Sequence, residues 1–463
     1  MAETTSGAEA LSPAAWVVLI VVPLSGLYLL SIVLRRTWAT LHGWAQKIWS
    51  KNAAKKPRKQ AQPAQRTPGR ARQQGTDTPG KSLKSLVKAS TGGRHGGGHD
   101  PTPESDLFCT TLRSAGGTLT GIAWSSDGST LAAALEGTGV QVWTIPAGRD
   151  VAARGRAPLP STTIEWPQEV VDVAFAGQGR RLAALTYGFG GAAELVILDL
   201  GGKPGADKKP AVAWRCEKAH PAGARPRWLK ASADSRGGMA VLVSSSNRTD
   251  LKVYSSKGGV LGSIDTGGFE NYDVSVSRDG RWIAAATFTN DVKLFEVAFD
   301  GHGAFQGLPK ATPLAGHTGR VWTLDFAPDL TRCATASADG TLRTWDLAVR
   351  FALREKPRPL VVAELPAALK DGSAHPLRLS WGPAGVIAAA KGTALAFFDE
   401  GTGDVLEVVE DAHLAPISAL AWGPSKIKAL EVDVWPLATA GLDGRVRLWR
   451  PPQRAPKARP AAA

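Results

Sequence analysis

The sequence predicts an all-β fold, a seven-bladed β-propeller, preceded by one N-terminal transmembrane helix and a disordered basic linker. Three observations carry this expectation: a sevenfold internal repeat, a charge-free apolar run near the N-terminus, and a block of positive charge between the two.

The repeat is the strongest of the three. Seven short alternating segments each close on an aromatic or large aliphatic residue: VQVW (140–143), LVIL (195–198), LKVY (251–254), VKLF (292–295), LRTW (342–345), LAFF (395–398) and VRLW (446–449). Their last residues are 55, 56, 41, 50, 53 and 51 positions apart. Repeats of about 40–55 residues holding several short strands are the mark of propeller blades. Between them lie small-residue segments such as LAAALE, LAALTY, IAAATF and CATASA. A sheet packed on both faces against neighbouring blades needs small side chains at its centre. The high Gly and Pro content, 51 and 31, suits many short strands joined by turns.

The fifth unit, GHTGRVWTLDFAPDLTRCATASADGTLRTWD, carries the WD-repeat signature at Gly316-His317, Ser337, Asp339 and Trp345-Asp346. In WD repeats a His, a Ser or Thr, an Asp and a Trp form a buried hydrogen-bond chain. The expected tetrad is therefore His317, Ser337, Asp339 and Trp345. The seventh unit keeps His413, Asp443 and Trp449, with Gly441 in place of the Ser. A hydrolase triad is set aside because the spacing is that of a blade and no nucleophile elbow is present. No P-loop, HExxH or GxSxG motif occurs either, so no catalytic residue, cofactor or metal is expected. His95 and His99 lack the Cys or carboxylate partners of a coordination shell. GFGG (188–191) reads as a turn.

The seventh unit lacks a fourth strand. Only the Pro-rich PPQRAPKARPAAA follows it, a disordered tail over 451–463. An unpaired edge invites aggregation, so DLFCTTL (106–112) is expected to close the ring against 446–449. The propeller then spans 104–450.

Residues 14–34, AAWVVLIVVPLSGLYLLSIVL, run 21 positions without a charge, long enough to cross a hydrocarbon core as a helix. The preceding segment holds Glu3 and Glu9 and no Lys or Arg, unlike the basic start of a signal peptide. Arg35, Arg36, Lys47 and Lys51 follow the run, which places the propeller in the cytosol and residues 1–13 in the lumen or exterior. Trp38, Leu41, Ala45 and Ile48 recur at helical spacing. Residues 37–49 suit either a helix along the lipid headgroups or a continuation of the anchor.

The positive charge is concentrated in the linker, 35–103. Residues 35–94 hold 15 Lys and Arg against one acid, Asp77, which accounts for the whole excess. With few apolar residues the segment cannot offset its ordering entropy. Lys51, Lys55, Lys56, Arg58 and Lys59 are the candidate contact with an anionic lipid surface. The cations from Arg66 to Lys88 suit RNA or a solvated spacer. Three unpaired cysteines, Cys109, Cys216 and Cys333, suit a reducing compartment.

The stretch from Asn271 to Leu347, with TNDVKLFEV followed by FQ and GH, resembles the transducin beta-like protein 2 family. The order of anchor, basic linker and propeller is similar. The resemblance implies residence in the endoplasmic reticulum membrane, a cytosolic propeller, scaffolding of stress-kinase and translation components, and some RNA association. An inserted segment, 425–434, and a short basic tail depart from the family. The alternative is a propeller-type guanine nucleotide exchange regulator of a small GTPase in vesicle coat assembly. Against it, the apolar run precedes the propeller, whereas such regulators carry theirs after it.

Overall fold

The small-residue segments become the second strand of each blade, where period-two alternation sends side chains into two different seams. In the strand Thr130–Leu135, Leu131, Ala133 and Leu135 join the last blade, while Ala132 and Ala134 join the next. The same division recurs around the ring. Seven apolar clusters result, one at each junction between neighbouring blades. The hydrophobic core is thus a set of radial layers, and each blade is held by both neighbours.

The computed structural model describes residues 102–453 except 138, 154–158, 189, 202–209, 235–238 and 371–374. The predicted anchor 14–34, residues 1–13, nearly all of the linker with Lys51, Lys55, Lys56, Arg58 and Lys59, and most of the tail lie outside the described residues. Among the described residues no helix is long and apolar enough to cross a membrane.

Seven four-stranded antiparallel sheets form the ring. The inner strands are Leu119–Trp124, Glu169–Phe175, Pro226–Ala231, Asn271–Val276, Val321–Phe326, Arg378–Trp381 and Ile417–Trp422, which number blades 1 to 7. The seventh sheet is completed from the other end of the chain. Its outermost strand is Phe108–Arg113, antiparallel to Arg445–Trp449, with Leu112 opposite Val446.

Six inner strands shift register around their second residue, leaving Thr120, Val171, Arg227, Tyr272, Trp322 and Ser418 unmatched. Such bulges re-aim side chains locally. Because every inner strand starts at the same face of the disc, these residues share one mouth of the central channel.

The inserted segment 425–434 does not break the last blade. It forms a hairpin, Ile427–Ala429 with Val432–Val434, and Ile427, Ala429 and Val434 pack into the seam between blades 7 and 1. Its turn residues Leu430 and Glu431 have φ of 53° and 66°. That left-handed geometry is unfavourable for residues with a Cβ. Asp150 compensates from blade 1: its carboxylate accepts the backbone N–H of Leu430 at 3.1 Å and of Glu431 at 2.6 Å.

Candidate functional site

In blade 5, His317 lies in the loop before the inner strand and its ring is buried. Nδ1 donates to Asp339 at 2.8 Å, and Nε2 accepts from the Thr335 hydroxyl at 2.8 Å. The same hydroxyl accepts the Trp345 indole N–H at 2.9 Å. The relay therefore runs from Trp345 through Thr335 and His317 to Asp339. It ties the second and third strands to the entry loop and the turn between those strands. Ser337, expected as the hydroxyl of this chain, stands outside it. It sits at the strand end opposite Val321, where it donates to the Gly319 and Arg320 carbonyls, each at 3.0 Å, and accepts from the Asp339 N–H.

Blade 7 repeats the relay. His413 joins Asp443 at 3.1 Å and Thr439 at 2.6 Å, and the Trp449 indole donates to Thr439 at 3.0 Å. Gly441 is required here, since a Cβ at that position would overlap His413 Nδ1 and Asp443 Oδ1. A third version, absent from the sequence reading, holds blade 3. His220 contacts Asp250 at 2.6 Å and Ser244 at 2.9 Å, while the Tyr254 hydroxyl donates to the Ala219 carbonyl at 3.0 Å. The signal for all three is a hydroxyl ten residues before the closing aromatic: Ser244 and Tyr254, Thr335 and Trp345, Thr439 and Trp449.

The electrostatics suit a framework. Burial lowers the His317 and His413 pKa values, overriding the raising effect of their Asp partners. Both imidazoles are thereby kept neutral, as the relay requires. Burial would raise Asp339, but hydrogen bonds from Thr341, His317 and the Thr318 N–H hold it well below the carboxylate range. The same balance takes Asp250 down to about 2.

The central channel carries a second polar network, with a cavity of about 300 Å3 lined by Lys230, Asp273, Ser275, Asp325 and Ser380, among others. Its aspartates stitch blades together. Asp172 of blade 2 accepts the Leu229 N–H of blade 3 at 2.8 Å. Asp273 of blade 4 accepts the Thr323 hydroxyl of blade 5 at 2.6 Å, and Asp325 of blade 5 accepts the Trp381 N–H of blade 6 at 3.0 Å. Gly121 makes room for Asp172, since a Cβ there would overlap the carboxylate. Among the described residues no His, Cys, Asp and Glu group could hold a metal ion, and the three cysteines are unpaired.

Burial pushes Asp172 up to about 6, partly offset by Lys230 and its two backbone donors. Its folded pKa therefore exceeds the unfolded value near 3.8, and the folded state binds the extra proton between these limits. Lowering the pH from 7 to 4.5 should raise wild-type stability relative to Asp172→Asn, which cannot titrate. Paired thermal melts across that range check this, and a wild-type melt that falls relative to the variant contradicts the assignment.

The family described as WD domain, G-beta repeat matches residues 307–346 and 405–450. These segments contain the two relays that end on Trp. The chain is similar to Transducin beta-like protein 2 of Homo sapiens, 34% identical over 182 residues, which is 39% of this chain and 40% of that protein. It is also similar to the protein of the same name from Mus musculus, 32% identical over 173 residues, 37% of this chain and 38% of that one. The matches thus span about two fifths of these relatives' length. The fold is a seven-bladed WD-repeat propeller, an architecture suited to protein–protein interaction and typically not enzymatic.

Proposed function

We propose that this protein is a membrane-anchored scaffold at the cytosolic face of the endoplasmic reticulum. Residues 14–34 cross the membrane once, residues 35–103 tether the propeller, and the propeller gathers partner proteins. Stress-kinase or translation components are the partners the family resemblance implies. Lys51, Lys55, Lys56, Arg58 and Lys59 meet anionic lipid, and cations farther along the linker associate with RNA. The observation that supports binding over chemistry most directly is the disposition of the three His–Asp pairs. Each is used within a blade, with the second imidazole nitrogen engaged by a buried hydroxyl. The residue types that most resemble catalytic groups hold strands together, which leaves the loops and rims as the working surface.

Topology supplies the test. Asn247-Arg248-Thr249 is a glycosylation acceptor sequence, and Asn247 is exposed on the turn between two strands of blade 3. The full chain expressed in cells should stay with membranes after alkaline extraction, lose that behaviour without residues 14–34, and show no glycosidase-sensitive mobility shift. A shift abolished by Asn247→Gln would reverse the orientation. Acceleration of nucleotide release from a coat-assembly GTPase by the purified chain would favour the exchange regulator instead.

A further inference from the structure

The channel mouth carries an aromatic row whose innermost ring, Trp322, packs against the seam between blades 5 and 6 and whose outer rings stand exposed. Phe269 stands 82% exposed at the tip of the loop between blades 3 and 4, and Phe288 is 45% exposed on a turn of blade 4. Their rings meet edge to face at 5.6 Å. Phe288 lies 6.3 Å from Tyr272, and Tyr272 lies 5.0 Å from Trp322, both at bulge positions of the inner strands. The four rings run from the loop tip to the channel. Arg320 lies over two of them, 5.7 Å from the Phe288 centroid and 4.7 Å from that of Trp322.

The charge pattern singles out Arg320. Nearby acids already have partners: Glu270 pairs with Arg227, Asp291 with Lys293 at 2.6 Å, and Asp339 with His317. Among the described residues Arg320 makes no ion pair; aromatic faces position its guanidinium without neutralising it. Exposed apolar area of this kind marks an interaction site, and Trp, Tyr and Arg are the residue types that dominate interface energies.

From this geometry we propose, resting on the scaffold reading, that the row binds an extended acidic segment of a partner protein. Its aromatic or long aliphatic side chains pack on Phe269 and Phe288, and a carboxylate pairs with Arg320. Alternate side chains of an extended chain are roughly 6.5–7 Å apart, close to the ring spacing. Single-stranded RNA also stacks on aromatic rows. A phosphate backbone, however, is held by several cations at once, and here Arg227 and Lys293 are already paired with Glu270 and Asp291, which leaves Arg320 for a single carboxylate.

The test is selection of random peptides of roughly 12 residues, displayed on phage, against the purified full chain. The expected winners combine Asp or Glu with aromatic or long aliphatic residues. Their affinity by fluorescence anisotropy should fall about tenfold or more for Arg320→Gln and for Phe269→Ser with Phe288→Ser. Leu353→Ser, at an exposed site elsewhere, should leave it unchanged. Winners that are basic, or that bind the Arg320→Gln and Phe269→Ser proteins as tightly as wild type, would overturn this surface while leaving the scaffold reading intact. Failure to enrich any sequence overturns the surface too, as does displacement of the peptides by oligouridine at equal concentration.

Discussion

A chain lacking residues 104–113 should fail to hold a closed ring, whereas a chain lacking residues 1–100 should melt like the intact protein. The strand Phe108–Arg113 pairs with Arg445–Trp449 along its length. It buries Cys109 and Leu112, with Leu107 beside it, and sets the Phe108 ring edge-on to Trp449 at 5.6 Å. Further ties flank it. The Leu107 carbonyl accepts the Arg450 N–H at 2.8 Å, the Ser114 hydroxyl donates to the Gly444 carbonyl at 2.8 Å, and Ser105 donates to Glu407 of blade 6 at 2.9 Å. Each buried apolar side chain contributes roughly 1.5–3 kcal/mol and each ladder bond about 0.5–1.5 kcal/mol. Together these approach the whole net stability of an ordinary domain, about 5–15 kcal/mol. The deletion also bares Arg445–Trp449 as an unpaired edge. We expect the 104–113 deletion to aggregate or to melt far below wild type in differential scanning calorimetry. Two truncations melting within about a degree of each other would show that the strand is dispensable.

That strand was legible in the sequence because the Pro-rich residues after Trp449 could not supply it and an alternating segment stood unused at the other end. The seven blades were legible because period-two segments recurred at near-regular spacing. What stayed hidden was decided by contacts remote in sequence. The hairpin at 427–434 carries no Gly or Asn at its turn, the usual signal. It is held by Asp150, some 280 positions away. The relay of blade 3 escaped because Asp250 lies four residues before its aromatic, whereas Asp339 and Asp443 lie six before theirs. Thr335 and Ser337 are both hydroxyl residues on the same strand face, and composition alone does not choose between them. Register does: the Trp345 indole reaches Thr335, while Ser337 is level with the strand's end. The aromatic row at the channel mouth depends on bulges, which no residue pattern announced.

Replacing Asp339 by Ala should be the most damaging single change in blade 5, followed by Thr335→Val, with Ser337→Ala the mildest. Asp339 accepts four hydrogen bonds: His317 Nδ1 at 2.8 Å, the Thr318 N–H at 3.1 Å, and the Thr341 N–H and hydroxyl at 2.9 and 2.7 Å. Its loss strands a buried imidazole N–H, at about 1–3 kcal/mol, and frees the turn. The sum should be roughly 3–5 kcal/mol, lowering Tm by roughly 4–7 °C for a domain of this size. Thr335→Val keeps the side-chain shape but leaves the Trp345 indole N–H and His317 Nε2 unmatched, which should cost roughly 2–4 kcal/mol. Ser337→Ala removes the tie to the Gly319 and Arg320 carbonyls and the acceptor of the Asp339 N–H, next to a loop whose ends are open to water, and should cost about 1 kcal/mol. Double-mutant cycles separate the two hydroxyls from general packing effects. Combining Thr335→Val with Trp345→Phe removes donor and acceptor together, so the pair should cost less than the sum of the single changes by about 1 kcal/mol or more. Ser337→Ala combined with Trp345→Phe should be additive. Chemical denaturation of the six proteins decides the matter, and coupling of Trp345 to Ser337 in place of Thr335 would refute the relay.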